Sequence, residues 1–174
     1  MIAAKRYLAE KFLEGLGHAG LRADLLQPDF IALHNFLAFE HFAAAGETPA
    51  GKPPLAAAAL DMGCDVTSVI VSSPQSLWFH SCGVAGRSFT RALVKEFNLS
   101  VAQAEQLKRA PESDQRLGQV EQALAPAFDD LLREVRQSLA VYAQAEPDRP
   151  VGQLFGLGGG FALHGMFRYL RCGR

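Results

Sequence analysis

The chain has 174 residues, 49% of them hydrophobic, so it is long enough to bury one substantial core. It carries 17 lysines and arginines against 18 aspartates and glutamates, which gives a formal net charge of −1. Such a balance argues against nucleic-acid binding, because a nearly neutral chain has no strong field to attract a phosphate backbone.

The first 45 residues predict the order β-α-β-α. Residues 1–4 are an apolar stub typical of a strand end, and a helical pattern follows at once. Residues 21–26 alternate well enough for a strand. Residues 30–42 are so densely apolar that we expect their helix to be buried on most sides. The apolar face of the first helix consists of Leu8, Phe12 and Leu16.

The pattern changes after residues 46–54, where Gly, Pro and Thr concentrate and predict a linker. Three short strands are predicted next, at residues 55–60, 66–72 and 77–82. The turn Ser73-Pro74-Gln75 joins the last two strands, so a three-stranded meander is expected.

Helices are then predicted at residues 89–97 and from Ser100 to Arg109, where Ser100 and Gln103 form a capping box. A long amphipathic helix is predicted at residues 115–145, because apolar positions recur in steps of three and four. These positions are Leu124, Phe128, Leu131, Val135, Leu139 and Tyr142.

The last predicted unit is a strand at residues 151–157, a Gly158-Gly159-Gly160 turn and a helix at residues 163–170. Glycines let backbone amides approach an anion closely, and a helix N-terminus adds a favourable dipole. This order suits phosphate binding. Taken alone the signal is weak, because glycine-rich turns also serve only to reverse the chain.

A second segment with chemical potential is residues 60–67, at a strand-turn-strand junction. Asp61 at a strand end can orient Mg²⁺-bound water, while amides around Gly63 can meet phosphate oxygens and Thr67 can add a hydroxyl. A plain β-hairpin whose turn requires Asp and Gly is the alternative.

Several segments, taken in order, resemble the ATPase domain of the PilM family, type IV pilus assembly proteins related to FtsA and actin. Residues 60–67 resemble its second phosphate motif, and residues 83–90 its GG-x-x-L-T segment. Residues 100–109 are similar to a helix whose AExxK residues face the ribose and base. Residues 134–139 resemble an E-I-x-R-S-L stretch, and residues 154–165 the adenosine motif.

The resemblance implies an α/β fold: an actin-like (ribonuclease H-like) ATPase lobe with a mixed sheet flanked by helices. The end of a small inserted α+β subdomain is expected to precede it. Residues 1–45 would then be the remnant of the first lobe and its subdomain, residues 46–54 a linker, and residues 55–174 the second lobe.

The resemblance also implies ATP and Mg²⁺ as ligands. Asp61 is expected to orient metal-bound water, and it is the expected catalytic and metal-site residue. The expected nucleotide contacts are Asp61, Gly63, Thr67, Gly86, Glu105, Lys108, Gly158, Gly159 and Gly160.

Some features depart from the family pattern. Ala85 replaces a usual glycine, Leu157 a common threonine and Gln137 an arginine, and Asp65 adds a negative charge beside the expected phosphate site. The only Asp-x-Gly begins at Asp61, so the first phosphate motif of a two-lobed ATPase is missing. We therefore expect negligible turnover from this chain alone, and a degenerate interaction scaffold without nucleotide function is the alternative.

The expected partner, by resemblance, is the cytoplasmic tail of a PilN-like inner-membrane protein; self-association stays open. No apolar run is long enough to span a bilayer, so we expect a cytoplasmic protein that reaches the membrane only through partners. Three widely spaced cysteines also fit a reducing compartment. A zinc site of Cys64, His80 and Cys82 is a less favoured alternative.

Overall fold

The computed structural model describes residues 5–42, 55–111 and 116–172. Two helices come first, α1 (Arg6–His18) and α2 (Asp29–Leu37), and α2 continues into a π-helical turn at Ala38–Phe42. The strands are β1 (Ala56–Met62), β2 (Thr67–Ser72), β3 (Leu77–Cys82) and β4 (Val151–Leu157). Between β3 and β4 lie α3 (Gly86–Phe97), α4 (Val101–Arg109) and α5 (Leu117–Ala145). A 3₁₀ turn (Gly159–Ala162) and α6 (Met166–Cys172) follow β4.

The four strands form one mixed sheet in the order β3-β2-β1-β4, which confirms the predicted mixed sheet flanked by helices. β1 pairs antiparallel with β2, and β2 with β3, whereas β1 and β4 are parallel. The carboxyl ends of β1 and β4 therefore meet at one edge of the sheet, with Asp61 opposite Leu157. This edge is where ligands bind in open α/β sheets.

Helices cover both faces of the sheet. Leu60 and Val69 face the main core, which α3, α5 and α6 complete, while Ala59 and Ile70 face α2. All four alanines at residues 56–59 are at most 2% exposed. Because alanine is a poor strand former, packing from both faces rather than intrinsic propensity holds β1 in the sheet.

The long helix α5 follows the predicted apolar stripe, since its side chains alternate between core and solvent with helical periodicity. It supplies the largest share of the main core, and Leu139 packs against the same core while partly buried. Its buried stripe includes Val120, Leu124, Phe128, Leu131, Val135 and Tyr142.

The ends of α3 and α4 are set by local chemistry. The predicted capping box is confirmed. The Gln103 backbone amide donates to Ser100 Oγ at 3.3 Å, and the Ser100 backbone amide donates to the side-chain oxygen Oε1 of Gln103 at 2.9 Å. Asn98 ends α3 with a φ of 50°, a left-handed conformation that asparagine tolerates better than most residues.

The predicted strand at residues 21–26 is wrong. This segment contains no regular strand, and its apolar residues point to solvent: Leu21, Leu25 and Leu26 are 60%, 75% and 47% exposed. Alternation alone gives a strand no partner to pair with. The described part of the first segment is therefore helical rather than β-α-β-α, and the predicted strand end at residues 1–4 and the linker at 46–54 lie outside the described residues.

The helix predicted at residues 30–42 is present, but the expectation that it is buried on most sides is wrong. Leu37 is buried against the sheet, whereas Phe36 and Phe39 are 54% and 76% exposed. Only one side of α2 meets the sheet, where His34 Nδ1 lies 2.6 Å from Ser72 Oγ. Apolar density predicted the element correctly and its surroundings incorrectly.

Candidate functional site

The acidic turn, residues 61–66, joins β1 to β2 and is closed by a backbone hydrogen bond of its own. The Gly63 amide donates to the Val66 carbonyl at 3.0 Å, and Asp61 lies two residues earlier, partly exposed, near the end of β1. Within residues 5–42, 55–111 and 116–172, no group donates a hydrogen bond to the Asp61 carboxylate. This carboxylate is therefore available for a ligand such as a hydrated cation.

Two backbone hydrogen bonds join the N-terminus of α3 to the acidic turn. The Gly86 amide donates to the Gly63 carbonyl at 3.0 Å, and the Arg87 amide donates to the Cys64 carbonyl at 2.8 Å. In a trans peptide the N–H points opposite to the C=O. Because the carbonyls of Gly63 and Cys64 point towards α3, the amides of Cys64 and Asp65 point away from it. Both residues are exposed, and neither amide has an acceptor in the described part of the chain. Two adjacent free amides make the turn a potential anion site.

The triple-glycine turn lies directly beside the acidic turn, as its predicted role requires. Gly158 has a φ of 84°, and a Cβ added there would lie 2.8 Å from Asp61 Oδ1 and would overlap the Met62 carbonyl oxygen. Gly160 is buried, and a Cβ there would overlap the Met62 side chain. Gly159, by contrast, is exposed with nothing within 4 Å of its added Cβ, so it faces open space.

Thr67 is not on the open side of this edge. Its side chain is fully buried, and Oγ1 donates to the Val84 carbonyl at 2.7 Å. The expected direct contribution of its hydroxyl to a ligand therefore has no support in this arrangement. Thr67 instead fixes the loop that leads into α3.

Glu105 and Lys108 form an ion pair on α4, and both also contact residues in the first turns of α3. Lys108 Nζ contacts Glu105 Oε1 at 2.6 Å, Thr90 Oγ1 at 2.8 Å and the Gly86 carbonyl at 3.3 Å. Thr90 Oγ1 is also within hydrogen-bonding reach of Glu105 and of the Gly86 carbonyl. The hydrogen bonds from Lys108 and then from Thr90 lower the pKa of Glu105, so it is ionised at neutral pH.

The predicted site residues thus form one connected set. Gly158 touches the end of β1, the acidic turn accepts from Gly86, and Gly86 accepts from Lys108. Sequence reasoning missed Thr90 as a member and missed the free amides. A threonine one turn after a helix N-terminus was the available signal for the former; a turn's peptide orientation is not visible in sequence.

Two further features of the described residues bear on other candidate ligand sites. A groove of about 450 Å³ between α3 and α5 contains none of the predicted site residues. The described residues contain no group of three or more His, Cys, Asp and Glu side chains that could hold a metal, so the zinc alternative lacks support. Burial also raises the pKa of the Cys82 thiol.

With this geometry in place, the sequence matches the family described as type IV pilus assembly protein PilM over residues 3–172. The chain belongs to this family. The similarity extends to solved structures: the chain is 26% identical to a protein of a PilM-PilN type IV pilus biogenesis complex, with a TM-score of 0.73, covering 96% of this chain and 45% of that one. The predicted membership in the PilM family is therefore confirmed.

More distant structures share the fold. The ethanolamine utilization protein EutJ from Carboxydothermus hydrogenoformans is 16% identical, with a TM-score of 0.62 over 91% of this chain and 51% of EutJ. MreB5 of Spiroplasma citri, bound to ADP, is 14% identical, with a TM-score of 0.62 over 97% of this chain and 58% of MreB5. The actin-like fold predicted for this PilM-family chain is confirmed.

This PilM-family chain spans about half the length of the solved structures it matches. No curated protein matches this chain. Within the described residues, no helix is both long and apolar enough to cross a bilayer.

Two departures from the PilM family pattern have simple explanations in the structure. Ala85 has a φ of −150° and a ψ of −171°, extended backbone that any residue adopts, so glycine is not required there. Asp65 pairs with Arg87, with Oδ1 and Nη1 3.0 Å apart and both side chains about half exposed. The pair offsets part of the repulsion that an unpaired Asp65 would impose on a phosphate.

Proposed function

We propose that this chain is the nucleotide-binding half of a PilM-type protein, and that ATP with Mg²⁺ binds at the edge where the acidic and triple-glycine turns meet. The observation that carries the proposal is the contact of Gly158 with Asp61 and Met62, which unites two segments nearly a hundred residues apart. The related actin-like protein MreB5 binds ADP and AMPPNP in solved structures, and this supports a nucleotide role for the shared fold.

The residues at this edge suit such a ligand. The Asp61 carboxylate has no donor in the described part of the chain and could hold Mg²⁺ through water, as Mg²⁺ retains several of its waters in proteins. The free amides of Cys64 and Asp65 could donate to phosphate oxygens, and Gly159 leaves room beside them. Mg-ATP is a polyanion, and its binding between two lobes can set the angle between them.

In the assembly, we propose that ATP binding acts as a conformational switch in a type IV pilus or related secretion machine. A structurally similar protein was solved in a PilM-PilN complex, and we propose a PilN-like cytoplasmic tail as the partner here too. The protein would then be cytoplasmic and peripheral to the inner membrane. A pull-down of the full-length protein with a synthetic tail peptide tests this: retention is expected, and no retention contradicts the partner.

A scaffold without nucleotide function is the second candidate. Two observations favour it. Glu105 and Lys108 form an ion pair with each other without a ligand, and the Thr67 hydroxyl donates to the Val84 carbonyl. The two candidates differ in the thermal shift of the full-length protein. Nucleotide binding predicts that Mg-ATP at about 100 times Kd stabilises the fold by about 2.7 kcal/mol, whereas the scaffold predicts an unchanged Tm.

A further inference from the structure

Arg87 contacts the acidic turn through both its backbone and its side chain. The Arg87 amide donates to the Cys64 carbonyl at 2.8 Å, and the guanidinium pairs with Asp65, with Nη1 and Oδ1 3.0 Å apart. Nη2 also lies 4.0 Å from Cys64 Sγ. Cys64 and Asp65 are the two residues of the turn whose amides point away from α3 and have no acceptor in the described part of the chain. The guanidinium therefore contacts the part of the turn to which the proposed function assigns phosphate.

The guanidinium of Arg87 still has hydrogen-bonding capacity to offer. An arginine side chain has more N–H donors than these contacts use, and the Cys64 sulfur is only a weak acceptor. The Arg87 side chain is also 53% exposed, so a ligand can reach it from solvent. A planar guanidinium can donate two parallel hydrogen bonds to a phosphate, an arrangement that suits arginine better than lysine.

The pair between Arg87 and Asp65 is weak enough for a ligand to replace it. The Asp65 side chain is 59% exposed, so water screens the attraction, and ion pairs this exposed contribute little to stability. A polyphosphate carries more negative charge than one carboxylate, so it competes well for the same guanidinium. Once released, the exposed Asp65 carboxylate is hydrated by solvent, so no charge is left buried without a partner.

We propose that Arg87 exchanges partners when nucleotide binds: it leaves Asp65 and donates to a phosphate oxygen of the ligand. The inference rests on the proposed function, and it adds a side-chain contact to the phosphate end of the ligand. Asp65 is then the counter-ion of Arg87 only in the absence of nucleotide. A passive role is the alternative, in which Arg87 stays paired with Asp65 and only offsets its charge.

Calorimetric titration of the full-length protein with Mg-ATP separates the two roles. Asp65→Asn is expected to strengthen binding about two- to fivefold, because no ion pair then has to be broken. In that Asp65→Asn background, Arg87 has no carboxylate charge left to offset. Partner exchange predicts that adding Arg87→Gln weakens binding at least about tenfold, through the loss of a hydrogen bond to a charged group.

Arg91→Gln in the same Asp65→Asn background is the matched control. Arg91 is an exposed residue one turn further along α3, so this variant loses the same charge from the same helix. It is expected to bind Mg-ATP within about twofold of its parent, because salt screens exposed charges that do not contact the ligand. Adenosine, which carries no phosphate, is expected to bind the Arg87→Gln variant as well as its parent.

The substitutions at positions 65 and 87 change exposed side chains, and the Arg87 backbone amide keeps its bond to Cys64, so the variants are expected to fold. If the variant that combines Asp65→Asn and Arg87→Gln does not fold, Arg87→Lys replaces Arg87→Gln in the same background. Lysine keeps the charge but lacks the planar fork, so weaker Mg-ATP binding is again expected.

The outcomes are distinct. Weaker Mg-ATP binding on adding Arg87→Gln but not on adding Arg91→Gln, with adenosine binding unchanged, supports the exchange of partners. Equal effects of Arg87→Gln and Arg91→Gln overturn it and leave the proposed function standing, provided that the wild type binds Mg-ATP. A parallel loss of adenosine binding also overturns it, because Arg87 then supports the whole site rather than the phosphate end. If the wild type does not bind Mg-ATP, the proposed function fails and the exchange fails with it.

Discussion

The backbone of Gly158 packs directly against the carbonyl of Met62, so closely that a methyl group on Gly158 would overlap that oxygen. The triple-glycine turn and the end of β1 are therefore in backbone contact. Gly158 also has a φ of 84° and a ψ of 164°, a region that is essentially restricted to glycine. The approach of the two turns depends on this one residue having no side chain.

Gly158→Ala is expected to destabilise the protein by at least about 2 kcal/mol, because backbone strain adds to the steric overlap. Gly159→Ala is the matched control, since its added Cβ meets nothing within 4 Å and should change stability by less than about 1 kcal/mol. Urea unfolding of both variants measures the difference. Equal stabilities would contradict the proposed contact between the turns.

The cluster of Glu105, Lys108 and Thr90 predicts that the stability of the protein depends on pH. The pKa of Glu105 is lower in the folded state than its ordinary value, so its contribution is present at neutral pH. That contribution disappears as the pH falls from the ordinary glutamate pKa of about 4.3 through the lower folded pKa. The unfolding free energies of wild type and Glu105→Gln should therefore differ more at pH 7 than at pH 3.

Glu96→Gln is the control for this experiment, because Glu96 is an exposed residue of α3 outside the cluster. Its difference from wild type is the baseline with which the Glu105→Gln difference is compared at each pH. A Glu105→Gln difference that stays constant from pH 7 to pH 3 would show that Glu105 gains nothing from Lys108 and Thr90.

Phe128 joins three helices in the main core. It is 2% exposed, its ring lies 4.8 Å from that of Phe89 and it stacks on Tyr169 at 4.3 Å. Phe128→Ala should destabilise the protein by about 3–5 kcal/mol through lost burial and a residual cavity. Val141→Ala, on the same helix but 50% exposed, should change stability by less than about 0.5 kcal/mol. Similar losses in both variants would contradict this description of the core.

Sequence patterns predicted the elements that depend on local chemistry or long periodicity. The Ser100 cap and the stripe of α5 are examples, because each is encoded within a few turns of one helix. Surroundings were harder to predict. Residues 21–26 alternate but lack a pairing partner, and Phe39 lies on the side of the chain that the sheet does not cover.

The candidate site was also only partly predictable. Residue types and order located Asp61 and the triple glycine, because the chemistry of phosphate binding needs these types at strand ends. The buried hydroxyl of Thr67 and the ion-paired ammonium of Lys108 depend on which groups tertiary packing brings within hydrogen-bonding distance. A single sequence carries no direct signal for such contacts.

Titration of the full-length protein with a fluorescent ATP analogue and Mg²⁺ tests the central claim most directly, with Asp61→Ala and Gly159→Val as the variants. Neither substitution removes a hydrogen bond of the described residues, and a Cβ added at Gly159 meets nothing within 4 Å. The proposed site predicts tight binding to wild type and at least about tenfold weaker binding to each variant, or about 1.4 kcal/mol. Equal affinity in all three proteins would contradict a nucleotide site at this edge of the sheet.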